Sequence, residues 1–350
     1  MRVLIDTSYA DRGPSGTAVY LERLVAALRD RGEMEVVEVR QRRRLRPGGG
    51  NHLRSAANAL LDLVWLHVAL PRAARAAGAD VVHHPLPAHS RRIDRPQVAT
   101  LLDVVLELMP EGYGRVWRII ARRAYRRAAR RSGALVCISE ATRVQAVGML
   151  GADPERTIAT PLGPGQELPE VPRPGRARHF LYVGDDHARK NVAGLLEAYA
   201  QYRAQVDQPL GLVLAGKAAT AARGAGVRGE PGPDARRLAE LLATATALVH
   251  PSLLEGFGLT LVEAMAAGTP VAAMRNPAAE EVCGAAALLV EPTGLTDALV
   301  RLAGDPALRA RLSLAGRERA AGFTWAESAR LHERAYTLAA RGTAAPGANR

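Results

Sequence analysis

The stretch "HPSLLEGFGLTLVEAMAAGTPVAA", residues 250–273, sets two glutamates, Glu255 and Glu263, around a Gly-Phe-Gly turn. Before it, the short apolar run "TALVH" (246–250) ends at Pro251; after it, a helical pattern runs from about Leu261 to Ala267 and stops at Gly268. A strand that gives way to a glycine loop and then to a helix is half of a parallel βαβ unit. Thr260 and Glu263 have the S/T-x-x-E spacing of a capping box, which accounts for Glu263 structurally. Glu255 has no such account. It projects from a glycine-flanked loop at the ligand-facing edge of a sheet, where a carboxylate can accept hydrogen bonds from sugar hydroxyls. Gly256 and Gly258 leave the amides of Phe257, Gly258 and Leu259 open to a negatively charged group, with a helix N-terminus behind them.

The same alternation of short apolar runs and helical-period segments extends outward through the chain, as it does in parallel sheets with crossover helices. Strands are expected near 2–6, 35–39, 80–84, 97–102, 134–139 and 157–161. A second series is expected near 179–184, 210–216, 246–250, 269–274 and 287–291. Between the series, "GPGQELPEVPRPGRAR" (163–178) is rich in Pro, Gly and charge and lacks periodicity, which reads as a linker. Each half then forms a doubly wound α/β domain whose ligands gather at the carboxyl ends of the strands, and the cleft between the halves is the expected site. The tail "RGTAAPGANR" (341–350) reads as disordered.

Two more strand-to-helix crossings carry chemistry. In "FLYVGDDHARKN" (180–191) Gly184 permits the turn and Asn191 is placed to cap a helix beginning near Val192. Arg189 and Lys190 then sit at the positive end of a helix dipole, the wrong place for cations. A diphosphate gripped by amides and both side chains removes the conflict; two exposed cations on a polar loop is the plainer reading. Near the start, Gly13, Pro14, Ser15 and Gly16 join the first strand to an amphipathic helix, and Gly16 allows close approach of backbone to a ligand.

With 350 residues and 48% hydrophobic composition, two domains can each bury a core. The two cysteines, Cys137 and Cys283, form no CxxC or Cys/His pairing, so neither a disulfide framework nor a structural zinc site is indicated. The longest apolar stretch, "ALLDLVWLHVAL", is too short to span a bilayer and the start lacks a signal-peptide layout, so a cytoplasmic protein is expected. The net charge of +12 comes mostly from arginine. It points to nucleic acid, an anionic membrane face or phosphorylated substrates, or is simply solvated surface charge.

"GDDHARKN" followed by "PSLLEGFGLTLVEAMAAGTPV" resembles the retaining glycosyltransferases of family 4. The likeness extends to "SGTAVYLERLVAAL", "LVCISEATRVQAV", "TPLGPG" and "FTWAESARLHERAY". The resemblance implies an α/β protein of the GT-B fold, two doubly wound Rossmann-like domains facing across a cleft. It places an acceptor-side domain over 1–165, a linker over 166–178 and a nucleotide-sugar donor domain over 179–322, with the final helix, 323–340, crossing back to the first domain. It gives Arg189 and Lys190 the donor diphosphate, Glu255 the donor-sugar hydroxyls and Glu263 the ribose. Phe257, Gly258 and Leu259 become the loop meeting phosphate and sugar, with Gly256 and Gly184 shaping the backbone, and Gly16 faces the donor. The family commonly has a histidine where this chain has Leu102, a departure that puts donor choice and turnover in question; His83 and His84 are the candidates for part of its role, and the adjacent Asp103 is retained as a candidate catalytic residue with Glu255, Arg189 and Lys190.

The implied reaction moves a hexose-type sugar, from GDP-mannose or a UDP-sugar, to a hydroxyl of a glycan, lipid-linked or small-molecule acceptor. Cations and amides stabilise the leaving diphosphate, so no metal or other cofactor is expected. The basic segment 114–133 reads either as a contact with an anionic inner membrane face or as a surface helix with its apolar stripe in the core. Other readings are a GT-B protein that binds nucleotide-sugar without turnover, an epimerase or phosphorylase on the same fold, and a basic nucleic-acid-binding protein. The last lacks aromatic stacking platforms and any recognition motif, so no specific nucleic acid is expected.

Overall fold

The computed structural model describes residues 1–10, 15–43, 52–166, 168, 169, 171 and 179–342. Gly13 and Pro14, most of the basic loop 40–50, most of the linker and all but the start of the tail lie outside the described residues. The chain packs as two units, Met1–Pro161 with the segment from Trp325 onward, and Leu162–Thr324.

The first unit holds six parallel strands: β1 (Arg2–Asp6), β2 (Glu35–Val39), β3 (Val81–His84), β4 (Gln97–Leu101), β5 (Ala134–Cys137) and β6 (Thr157–Ala159). Their order is β2-β1-β3-β4-β5-β6. Central strands such as β3, β4 and β5 are buried throughout. That is why they read as continuous apolar runs rather than alternating ones. Leu4, Leu70, Ala74 and Val82 fill one cluster, and Leu101, Leu135, Cys137 and Leu150 another. The final helix, Trp325–Gly342, packs on the helix Gly16–Arg31 and on β5. A Cβ at Gly133, just before β5, would lie 3.0 Å from Ala339 Cβ, so a glycine permits that close approach.

The second unit repeats the plan with β7 (His179–Val183), β8 (Gly211–Ala215), β9 (Val227–Glu230), β10 (Ala245–His250), β11 (Val271–Met274) and β12 (Leu288–Val290), in the order β12-β11-β10-β7-β8-β9. Its core gathers Phe180, Leu195, Tyr199, Tyr202, Leu214 and Leu299. Sequence reading does not find β9. Its four residues, Val-Arg-Gly-Glu, form an edge strand with no buried position, and a half-solvated edge carries no apolar run.

One surface element departs from its simpler reading. In the helix Arg115–Arg131 the residues turned into the protein are Ala121, Ala128 and Ala129. Val116, Trp117, Ile119 and Ile120 are 73%, 57%, 50% and 56% exposed. The apolar stripe therefore does not enter the core; Ala121, Ala128 and Ala129 take that place, with Tyr125 packed against the cluster that holds Ala128 and Ala129.

Candidate functional site

The strand order of the second unit turns between β7 and β10: from β7 the sheet continues to β8 and β9, from β10 to β11 and β12. Their adjacent carboxyl ends form the switch point where open α/β sheets collect ligands. After β7, a single 3₁₀ turn, Ala188–Lys190, carries Arg189 and Lys190. After β10 comes the loop with Glu255. The fold closes the 65-residue separation into contact: Lys190 Nζ donates to Glu255 Oε1 at 2.5 Å. Arg189 Nη1 donates to Glu255 Oε2 and to the Leu254 carbonyl, both at 3.2 Å. The Leu253 amide donates to the Arg189 carbonyl at 2.8 Å, so the two loops are tied through backbone as well.

Glu255 is buried. Burial pushes its carboxyl upward, but the Lys190 charge, the hydrogen bond from His250 and the Arg189 charge outweigh this and hold it well below the usual carboxylate range. The group is therefore ionised and can only accept. His250 Nε2, 3.0 Å from Glu255 Oε1, must then carry the proton. Burial holds that imidazole below its ordinary value, and its Nδ1 accepts from Thr260 Oγ1 at 3.4 Å. Two cations meet one carboxylate and a neutral imidazole. Lys190 spends one of its three donors on Glu255, which leaves capacity for an anion.

The helix after this turn begins at Val192, yet Asn191 makes no side-chain cap. Its backbone is left-handed, with φ of 51°, and this turns its amide nitrogen toward Met274 Sδ at 3.4 Å in β11. The expected cap is thus replaced by a tie between two strand ends. Gly184 closes β7, where a Cβ would lie 2.8 Å from the Tyr182 hydroxyl.

The capping box does not form either. Gly258, at φ 99°, starts the helix Leu259–Ala266 two residues earlier than expected, so Thr260 lies inside it and its hydroxyl serves His250. Glu263 is buried, and its Oε1 accepts from the Gln166 amide at 3.0 Å. Phe257 is a core residue, 5.5 Å from Phe323 in an edge-to-face pair, so only its backbone is placed to meet a ligand. Gly256 is buried; Gly258, Leu259 and Thr260 are half-buried at the helix N-terminus, whose first amides have no intrahelical acceptor.

In the first unit, Gly16 is the first residue of its helix, capped by Ser15, whose hydroxyl accepts from Ala18 N at 3.2 Å. His83 and His84 are interior. His83 bonds Thr100 at 2.8 Å and Tyr336 at 2.9 Å, and His84 bonds Gln97 at 3.0 Å. Leu102 and Asp103 follow β4 and are half-buried, and Asp103 Oδ1 accepts from the Val105 amide at 3.1 Å. Among the described residues no group of three or more His, Cys, Asp or Glu is placed to hold a metal ion. Sequence reasoning missed His250 and Thr260. The available signal was a histidine closing a strand five residues before Glu255.

Two family models match the chain: Glycosyltransferase Family 4 over residues 14–204 and Glycosyl transferases group 1 over 166–319. Over 236 residues it is 35% identical to the MMP alpha-(1->4)-mannosyltransferase of Mycolicibacterium hassiacum, covering 61% of this chain and 57% of that one. The chain spans less than two thirds of the length of the curated relatives it matches. Among solved structures, sucrose-phosphate synthase from Thermosynechococcus elongatus aligns with a TM-score of 0.76 at 18% identity, over 96% of this chain and 98% of that one. Anabaena Alr3699/HepE, solved with UDP and glucose, aligns with a TM-score of 0.69 at 17% identity, over 96% and 99%.

Proposed function

The chain belongs to glycosyltransferase family 4, and from that membership we propose that it transfers a hexose-type sugar from a nucleoside-diphosphate sugar to an acceptor hydroxyl, with retention at the anomeric carbon. The fold is GT-B. The observation that carries the reading is the meeting of Arg189, Lys190 and Glu255 at the β7/β10 switch point. Two cations already oriented by a buried carboxylate need no reorganisation when a diphosphate develops charge, which is where such preorganisation lowers a barrier.

In this reading the bond from C1 to the diphosphate oxygen breaks while the acceptor oxygen bonds C1 on the same face. The departing phosphate oxygen takes the acceptor proton. Arg189, Lys190 and the amides at the start of the helix Leu259–Ala266 receive the negative charge. Glu255 holds the cations and accepts from sugar hydroxyls, Glu263 receives the ribose, and no divalent cation takes part. A relative named as a mannosyltransferase and a neighbour holding UDP and glucose support GDP-mannose or a UDP-sugar as donor.

The test is a thermal-shift and titration panel of GDP, UDP, ADP and dTDP, followed by the matching sugar nucleotides with acceptor. One nucleotide is expected to stabilise the protein, and replacing Arg189 and Lys190 together by Gln should weaken it by roughly a hundredfold or more, the worth of two charge-assisted contacts. Unchanged affinity in that variant would remove the basis of the reading.

A second reading has its own observation. Leu102 stands where family members commonly have a histidine, and His83 and His84 are buried in the interior. Binding of nucleotide-sugar without turnover follows if no other group serves there, and release of free nucleotide separates the two. The exposed Trp117, Ile119 and Ile120 among the arginines of Arg115–Arg131 support docking on an anionic membrane face, where a lipid-linked acceptor resides.

A further inference from the structure

The carboxyl end of β1 and β2, in the first unit, holds a hollow that the donor chemistry does not use. It has a volume of about 400 Å³ and is lined by Glu38, Val39, Arg40, Arg42 and Trp65. That falls within the roughly 300–1,000 Å³ of small-ligand sites. We propose that it binds a sugar or cyclitol carrying one acidic group, and that it thereby selects the acceptor; the second clause rests on the transferase reading.

Three features build the site. Trp65 is placed by a break in helical register: over Trp65–Ala69 the helix widens, and the Leu70 amide reaches the Trp65 carbonyl five residues back. Such widened turns cluster at functional sites. The indole N–H donates to Asp6 Oδ2 at 2.8 Å, and Asp6, at the end of β1, also accepts from the Ser8 amide at 3.0 Å and from the Ser8 hydroxyl. With its polar atom fixed by a buried carboxylate, the indole offers the hollow an apolar wall of the kind that takes the C–H face of a sugar ring.

The charge around that wall is positive and held in place. Arg40 donates through Nε to Thr7 Oγ1 and through Nη2 to Glu38 Oε2, both at 3.1 Å. Arg29 takes the other Glu38 oxygen at 2.9 Å. Glu38 is thus engaged by two guanidiniums and does not neutralise Arg42, which is exposed and makes no ion pair among the described residues. Glu38 and Asp6 are each already engaged, so it is the exposed Arg42 guanidinium that suits a phosphate or carboxylate. An aromatic wall beside guanidinium forks matches a ligand with both a ring of C–H and hydroxyl groups and an anionic substituent.

The experiment is calorimetric titration of the full chain, without donor, using mannose 6-phosphate, glucuronate, mannose and inorganic phosphate. At least one acidic sugar is expected to bind saturably, about tenfold or more tighter than either the neutral hexose or inorganic phosphate. Arg42→Ala, at an exposed side chain, should weaken that binding by about tenfold, the worth of one charge-assisted hydrogen bond. It should leave nucleoside diphosphate affinity unchanged. Ligand-induced change in tryptophan emission should vanish in Trp65→Phe. Inorganic phosphate binding as tightly as the sugar phosphate, no saturable binding of either acidic sugar, or an unaffected Arg42→Ala would each overturn the proposal. Because no donor is present, the titration keeps its meaning whatever the nucleotide panel returns.

Discussion

Lys190 Nζ and the buried Glu255 Oε1 form an ion pair of 2.5 Å that joins the turn after β7 to the loop after β10. Breaking such a pair from the cationic side would strand the buried Glu255 charge, whereas removing Glu255 leaves two partly exposed cations close together, a smaller cost. Glu255→Gln removes the carboxylate that Arg189 and Lys190 share. Its melting temperature should fall. The preferred nucleoside diphosphate should then raise the melting temperature of the variant more than that of the parent, since the ligand supplies the missing negative charge. Equal stabilisation of both proteins would mean that the diphosphate does not meet these cations.

The polar core of the first unit makes acid stability predictable. Tyr336 donates to His83 Nδ1, His83 Nε2 to Thr100, Thr100 to Tyr20 and Tyr20 to His332 Nε2. His332 Nδ1 then donates to the Ser328 carbonyl. That direction is forced from its end, because a carbonyl can only accept, and it requires both imidazoles to be neutral. Burial lowers His332 to about 4, against the ordinary 6.5. Above pH 6.5 neither folded nor unfolded chain holds the proton. Between 6.5 and 4 only the unfolded chain binds it, so stability falls through that window by about 3 kcal/mol from this residue. Urea unfolding followed at pH 7, 5.5 and 4 should show the loss, and His332→Gln should reduce it, with the part due to His83 remaining. A flat profile in the parent protein would contradict the network.

Much of this architecture can be read along the chain, and the failures share a cause. Strands buried on both faces, such as Val98 to Leu101, carry their signal in consecutive apolar residues. The edge strand β9, with Arg228 and Glu230, carries none. Arg189, Lys190 and Glu255 stand out because their local setting leaves their charges unexplained. Their mutual contact does not stand out, since it depends on β7 lying beside β10. Both expected caps failed for one reason: Asn191 and Gly258 adopt left-handed backbone, and spacing rules assume an extended cap residue. Thr260 reads as a cap and His250 as a strand-end histidine because each is ordinary where it stands and acquires its further meaning only from Glu255.

The exposed apolar row on Arg115–Arg131 should bind vesicles. Trp117 and Ile120 are more than half exposed and flanked by Arg115, Arg118, Arg122 and Arg123. Burying their side chains at an interface, with about 1 kcal/mol from each arginine near an anionic surface, gives reversible association that weakens with salt. Co-sedimentation with phosphatidylglycerol-rich vesicles is expected and with phosphatidylcholine vesicles is not. Trp117→Ser with Ile120→Ser should lower the bound fraction severalfold while leaving the melting temperature nearly unchanged, because neither side chain packs in the core. A large drop in melting temperature would show that the row is structural.

Gly258 gives the sharpest test of the loop that starts the helix Leu259–Ala266. Its φ of 99° strains any other residue, and a Cβ there would fall 2.7 Å from Leu261 Cδ1, a side chain with no exposure. Gly258→Ala should therefore destabilise by about 1–2 kcal/mol from the backbone alone, with more from the Leu261 contact. The helix start must shift to relieve it, carrying the amides of Leu259 and Thr260 away from their present positions, so nucleoside diphosphate affinity should fall with stability. Gly304→Ala is the control: a Cβ there meets nothing within 4 Å, at the end of the helix Leu295–Gly304. It is expected to be neutral or slightly stabilising, as alanine restricts the unfolded chain. Equal effects from the two substitutions, measured by chemical denaturation and nucleotide titration, would show that the left-handed turn at Gly258 is not what sets the amides in place.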